Sequence, residues 1–173
     1  METRNAIAGR YACRKYTQEQ ITDEQLNALL DAANAAPVGM GDYSGYEVIA
    51  VQEEEIRRAI DAGTAHAMPV MGDHPTYEAP TLIFICVKPD PQFAMIPYCG
   101  ASCIAENIMV QATDLGLASV YIMAVPTVMQ GKPELLEKLP FSEGFIPVIL
   151  VSVGHAAQEH TAGKPQRLTV KRV

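Results

Sequence analysis

No stretch of the 173-residue chain is apolar for long enough to cross a bilayer: the longest run, Phe145 to Val153, falls well short of the roughly 20 residues a spanning helix needs. The opening residues, Met1 to Tyr16, lack the continuous apolar segment of a secretory signal. A soluble, cytoplasmic protein with no membrane partner is expected. There is no low-complexity tract, and 49% hydrophobic with 19% charged residues is the composition of an ordered globular chain. Positive charge is in deficit, 13 Lys and Arg against 20 Asp and Glu, so the clustered cationic surface that a nucleic-acid partner requires is not expected. The four cysteines, at 13, 86, 99 and 103, form no CxxC pair, which argues against a disulfide framework or a zinc ribbon and for reduced thiols. His66, Asp73 and His74 have no third imidazole or thiol at ligand spacing, so no metal site is read from them. No acid–base or nucleophile constellation appears either, and no catalytic side chain is assigned.

What is present begins with Arg10-Tyr11-Ala12-Cys13-Arg14-Lys15-Tyr16, three cations within six residues, ahead of a strong helix start. Arginine grips phosphate through its planar fork and lysine as a point charge, so the segment is either an anion site or a solvated basic turn. The end of the chain, Gly163 to Val173, returns to basic character in an otherwise acidic protein. Two basic ends can serve one anion; a frayed tail is the alternative.

Between them the elements alternate. Thr22-Asp23-Glu24-Gln25 is a capping box, and Leu26, Leu29, Leu30 and Ala33 give its helix one apolar face before Pro37. The segment Pro37-Val38-Gly39-Met40-Gly41 is a shaped loop, either a backbone approach to a flat ligand or an ordinary connection. A strand over 46–52 and a helix from Glu53 to Gly63 follow. Residues 64–80, with Pro69, Gly72, Pro75 and Pro80, are expected to be irregular, as a lid or a dimer contact. Thr81 to Val87 is a continuous apolar run, a strand buried on both faces, in which Cys86 acts as a small hydrophobe. A helix over about 98–115 is nearly apolar all round and must be covered on more than one side, which suggests a subunit interface. Cys99 and Cys103 share one of its faces, as a thiol pair or by simple burial. Strands over 119–125 and 146–152 flank a short helix from Pro133.

Several of these stretches resemble the nitroreductase family. Ala105 to Ala112, followed by Leu115-Gly116-Leu117-Ala118-Ser119, is similar to its dimer-core helix and the Leu-Gly-Leu-Gly-Ser turn after it. Arg10 to Tyr16 resembles the arginine-rich Arg-Arg-Ser-x-Arg-x-Phe motif, with Tyr11 for the second arginine and Ala12 for the serine. Pro37 to Tyr43 resembles the Pro-Ser-x-x-Asn-x-Gln loop that lies against the flavin, with Val38, Gly41 and Tyr43 in place of its polar residues. Lys164 and Arg167 stand where the family closes with Lys-x-Arg.

The resemblance implies an α+β fold, a mixed, mostly antiparallel sheet wrapped by helices in an intertwined homodimer. One domain, 1–173, is expected, with 64–80 as its lid and 155–173 as an extension reaching the partner subunit. FMN is implied as cofactor and NADH or NADPH as donor. Two electrons would pass, by alternate oxidation and reduction of the flavin, to a nitroaromatic, a quinone or a similar small acceptor. Arg10, Lys164 and Arg167 would hold the phosphate, with Tyr11 and Ala12 beside them, and Arg14 would face the N1/O2 edge. Pro37, Val38, Gly39 and Met40 would contact the ring through backbone or apolar surface, and Met123, Ala124 or Val125 would offer an N–H to N5. A flavin-binding protein without turnover is the alternative, and a ligand-free helical dimer acting as an interaction module is a third.

Overall fold

The computed structural model describes residues 1–158 and 168–172. Four strands form one sheet: β1 (Tyr46–Val51), β2 (Thr81–Val87), β3 (Ala118–Ile122) and β4 (Ile146–Gly154), in the order β1-β2-β4-β3. Six helices accompany them: α1 (Thr3–Gly9), α2 (Asp23–Asn34), α3 (Glu54–Ala67), α4 (Met95–Asp114), α5 (Ala124–Gln130) and α6 (Pro133–Leu136). Among the described residues no helix is long and apolar enough to cross a membrane.

Strands β2 and β4 occupy the middle of the sheet, and every residue of β2 is buried. Side chains alternate along a strand, so β2 feeds two cores. Ile83, Ile85 and Val87 join Leu29 and Ala33 of α2 and Ile104, Ala105 and Ile108 of α4. Leu82, Phe84 and Cys86 join Ile60 of α3, Val125 and Met129 of α5 and Leu135 of α6. The result is helix, sheet, helix in three layers. Burial, reinforced by Glu47, pushes the Cys86 thiol up to about 12, which suits an inert core residue.

The sheet is a correction to the mixed one expected, because every named pair is antiparallel. A helical crossover between neighbouring strands normally returns them parallel. Here α3 carries the chain away from the end of β1 and residues 68–80 bring it back to the same end, so Val51 faces Leu82. The only parallel contact among the described residues is an isolated bridge between Ala12 and Ser119. Pro147 sits in β4, a central strand, where a missing N–H would ordinarily break the ladder. The register shifts between Ile85 and Cys86, pairing them with Ile149 and Pro147, and the bulge leaves Val148 as the extra residue.

Other boundaries moved for local reasons. Helix α1 was not anticipated; it is mostly exposed and buries only Ala6. Helix α2 forms with its capping box complete, Thr22 and Gln25 each bonding the other's backbone N–H. Helix α3 runs past Gly63 to Ala67, since Gly63 lies so close to Leu135 that a side chain there would collide with it. The long apolar helix begins at Met95 rather than Tyr98, and Pro97 is accommodated in its first turn, where no intrahelical N–H is needed.

The segment 72–80 is irregular but tightly held. The Asp61 carboxylate, on α3, accepts from Thr76 N–H at 2.8 Å, Thr76 Oγ1 at 2.7 Å and His74 Nδ1 at 2.9 Å. That last contact, chiefly, holds the His74 pKa above 6.5; desolvation opposes it, while Glu78, Asp61 and Asp73 add to it. A histidine whose folded pKa is raised stabilises the protein fully below its unfolded value and loses that contribution as pH rises through the folded value. Melting His74→Gln beside the wild type across the pH range should therefore show a deficit at pH 5–6 that closes above neutrality, and a deficit independent of pH would contradict this coupling. At the end of β4, a Cβ on Gly154 would stand 2.6 Å from Pro80 Cδ and 3.2 Å from Tyr16. Gly154→Ala should cost about 1–3 kcal/mol through overpacking, a fall of roughly 2–10 °C in melting temperature for a domain of this size.

Candidate functional site

The basic segment is built by backbone rather than by a regular element. Arg10 ends α1 with its N–H on Ala6 O, and Cys13 N–H donates to Ser119 O at 3.0 Å, laying residues 12–13 along the start of β3. Beyond it, Thr17 N–H reaches His155 O at 2.8 Å and Ala157 N–H reaches Lys15 O at 3.0 Å. Buried Tyr16 locks the crossing: its hydroxyl lies 3.1 Å from the carbonyl oxygens of both Cys13 and Ser152. Burial, chiefly, with Cys13 nearby, keeps that phenol protonated far above the ordinary tyrosine range. The chain leaving β4 is thereby tied to the N-terminal cations. Lys164 and Arg167, which follow it, lie outside the described residues.

Within the segment the side chains differ. Arg14 and Lys15 are exposed, and the Arg14 guanidinium lies 5.9 Å from the centroid of the Tyr77 ring. Arg10 is partly covered and its Nε stands 3.4 Å from Glu106 Oε1 on α4. Tyr11 and Ala12 are half-buried. Of the backbone in this stretch, Ala12 and Cys13 are committed to Ser119, whose own hydroxyl is buried without a partner among the described residues.

The glycine-rich loop lies elsewhere on the chain. Residues 39–41 and 43–45 form two short 3-10 turns, with Met40 at φ 56° and Gly41 at φ 66°. Met40 has its side chain 74% exposed, an unusual position for a long apolar residue in the left-handed region. Gly39 abuts Ile96 so closely that any side chain would clash with it. Pro37, Val38 and Gly39 face Met95, Ile96, Cys99 and Cys103 across an almost wholly apolar groove of about 320 Å³.

The third predicted group lies where the strand expected over 119–125 gives way to a helix. Strand β3 stops at Ile122; Met123 caps α5, whose first turn holds Ala124, Val125 and Pro126. Pro126 therefore opens a helix instead of breaking a strand, because a first-turn residue needs no N–H for the helical ladder. Met123 is exposed, Ala124 half-buried and Val125 fully buried.

Helix α4 relates these groups. Its N-terminal turn meets the 37–40 loop at Ile96, Ser102 Oγ lies 3.2 Å from the Tyr121 hydroxyl of β3, and Glu106 meets Arg10. From Ile96 to Glu106 is about 15 Å of helix axis at 1.5 Å per residue. Within the single chain the loop and the cations are thus held apart rather than converging. Between them runs an uncovered stripe of α4: Met95, Tyr98, Cys99, Ser102, Cys103 and Glu106 are all exposed. The contact between Arg14 and Tyr77 was not read from the sequence, which carries no signal joining positions 14 and 77; nor was Asp61, hidden among the polar residues of α3.

Comparison with known proteins gives these groups a context. A nitroreductase from Desulfitobacterium hafniense, solved with bound FMN, superposes with a TM-score of 0.85 at 26% identity, covering 99% of both chains. One from Bacteroides fragilis, also solved with bound FMN, has a TM-score of 0.79 at 27% identity and covers 99% of this chain and 100% of the other. A protein of Archaeoglobus fulgidus named "Putative NADH dehydrogenase/NAD(P)H nitroreductase" is 28% identical over 159 residues, 88% of this chain and 84% of that one. The family model described as "Nitroreductase family" matches residues 7–155, from the end of α1 to the last strand, and the chain belongs to the nitroreductase family.

Proposed function

We propose that the protein is an FMN-dependent oxidoreductase acting as a homodimer, with NADH or NADPH as electron donor and a nitroaromatic, quinone or related small molecule as acceptor. The observation that carries this reading is the stitching of residues 12–17 to Ser119 and to His155–Ala157, which puts the N-terminal cations beside the chain that leads to the C-terminal ones. Family membership and relatives solved with FMN support it.

The residues fit such a cofactor in kind. Arg14 and Lys15 offer exposed positive charge, with Arg10 behind them, for a phosphate and for the polar edge of the ring; Lys164 and Arg167 would complete the anion site. Tyr11 and Ala12 can add backbone and surface but no second guanidinium or hydroxyl. Pro37, Val38, Gly39 and Met40 present apolar surface suited to a flat ring. Met123, Ala124 and Val125 begin α5, and the first N–H groups of a helix are left over from its own ladder, so one of them can point at a ring nitrogen. Bound FMN would supply the redox chemistry: two electrons accepted from the nicotinamide and passed on to the acceptor. The protein binds, orients and excludes water.

Because the 37–40 loop and the cations stand apart on one protomer, a second copy is needed to close the site. The exposed stripe of α4, with Met40 and Met123, is the surface on which it would sit, and residues beyond 155 would reach across to it.

A flavin-binding protein without turnover is the second reading, favoured by Arg10, whose guanidinium is already engaged by Glu106. The visible absorbance of purified protein with and without FMN, a thermal melt, and NADH or NADPH oxidation with a quinone separate the two. FMN at a hundred times its Kd should add about 2.7 kcal/mol, a rise of roughly 5–10 °C. Losing a charge-assisted contact costs about 1.5–3 kcal/mol, so Arg10→Ala should weaken FMN about tenfold to a hundredfold. Yellow protein that oxidises neither nicotinamide supports the second reading, and colourless protein that ignores added FMN defeats both.

A further inference from the structure

We propose that Tyr77 is a positioning residue for Arg14, and that Asp61 sets Tyr77 through the turn that carries it. The inference rests on the reading of Arg14 as the cation at the polar edge of a bound flavin.

The main chain is tied on both sides of Arg14: Cys13 N–H is on Ser119 O and Lys15 O accepts from Ala157 N–H. What remains to be ordered is a long, exposed side chain. Among the described residues Arg14 forms no ion pair, and the Tyr77 ring, 5.9 Å from Cζ, is what its guanidinium lies over. A guanidinium drawn to an aromatic face by a cation–π contact spends none of its N–H donors on it. Those donors stay available at the edge for a carbonyl or an anion, and less side-chain freedom is lost when one arrives.

Tyr77 is itself held in an unusual way. Tyr77 and Glu78 are consecutive non-glycine residues with φ of 59° and 53°, and such conformations persist only where their surroundings over-determine them. The surroundings come from three elements. From α3, Asp61, 8% exposed, takes Thr76 N–H, Thr76 Oγ1 and His74 Nδ1. From β4, Ser152 Oγ donates to Thr76 O at 3.1 Å. From the basic segment's own continuation, Gln18 Nε2 donates to Glu78 O at 3.4 Å. Tyr77 N–H closes the turn on His74 O at 2.9 Å. A backbone constrained on both sides of one ring, at a strained point, serves to aim that ring.

The test uses the full chain with arginine-selective labelling, FMN titration and the midpoint potential of the bound flavin. In wild type without FMN, the Arg14 Nε–H and Cδ protons should show an upfield ring-current shift, assigned with Arg14→Lys, that is lost in Tyr77→Leu and kept in Tyr77→Phe. Tyr77→Leu should weaken FMN three- to tenfold and lower the flavin potential, and Tyr77→Phe should restore both. In an Arg14→Ala background Tyr77→Leu should change neither, whereas a merely structural role would subtract equally in both backgrounds. Asp61→Asn, if it folds, should lose the same ring-current shift. Wild type that binds FMN without the shift, or with additive effects of the two substitutions, overturns the positioning role alone. Wild type that takes up no FMN at all defeats the flavin reading and this inference with it.

Discussion

The rest of the structure depends on the pairing of β2 with β4. Both strands are apolar on two faces, so neither could be left at an edge without exposing one core or the other, and together they carry the two clusters that hold every helix from α2 to α6. The pairing is antiparallel and bulged once, at Val148, to pass a proline through the middle of the sheet. Because β4 is anchored so firmly, its final residues and His155 to Ala157 make a fixed post to which Tyr16 and its neighbours are tied.

That post explains how a short irregular segment can be held in place. Residues 10–17 have no ladder of their own; their order is borrowed from Ser119, Ser152 and His155, and from a single buried phenol. The same economy appears in the 72–80 return, where one carboxylate replaces the hydrogen bonds a regular element would have made. These two borrowed segments meet at Arg14 and Tyr77. The out-and-back connection that makes the sheet antiparallel also delivers the tyrosine to the arginine.

The opposite consideration applies to α4. It is covered along the line of Ala101, Ile104, Ala105, Ile108 and Ala112 and bare along the line of Met95, Cys99 and Cys103. The bare stripe begins in an apolar groove, on a helix with few charges, and is the largest uncovered run along α4 among the described residues. The basic segment meets one end of that stripe, at Glu106, and the glycine-rich loop meets the other, at Ile96, so the two stay separate on one chain.

Much of this was legible in the residues. The capping box at Thr22, the apolar run from Thr81 to Val87, the near-uniform apolarity of α4 and its glycine stop at Gly116 each express a local rule, in which neighbours in sequence settle the outcome. The arginine-rich segment, the glycine-rich loop and the helix-turn after Ala105 announced the family for the same reason: a backbone that must approach a ligand or a partner closely constrains its residues one after another. Other features had no local signature. Pro126 reads as a strand breaker until β3 is seen to end four residues earlier, and Gly63 reads as a helix stop until Leu135 is found against it. The direction of each strand depends on where its connection returns, and the partners of Arg10, Arg14 and Asp61 depend on packing between positions 13 to more than 90 residues apart. The sequence by itself determined most of the elements, though not α1 or α5, together with the two-faced core and the presence of a basic segment and a glycine-rich loop. Tertiary structure alone decided strand direction, the commitment of Arg10 to Glu106 and the meeting of Arg14 with Tyr77, because those follow from long-range packing, which no nearest-neighbour rule encodes.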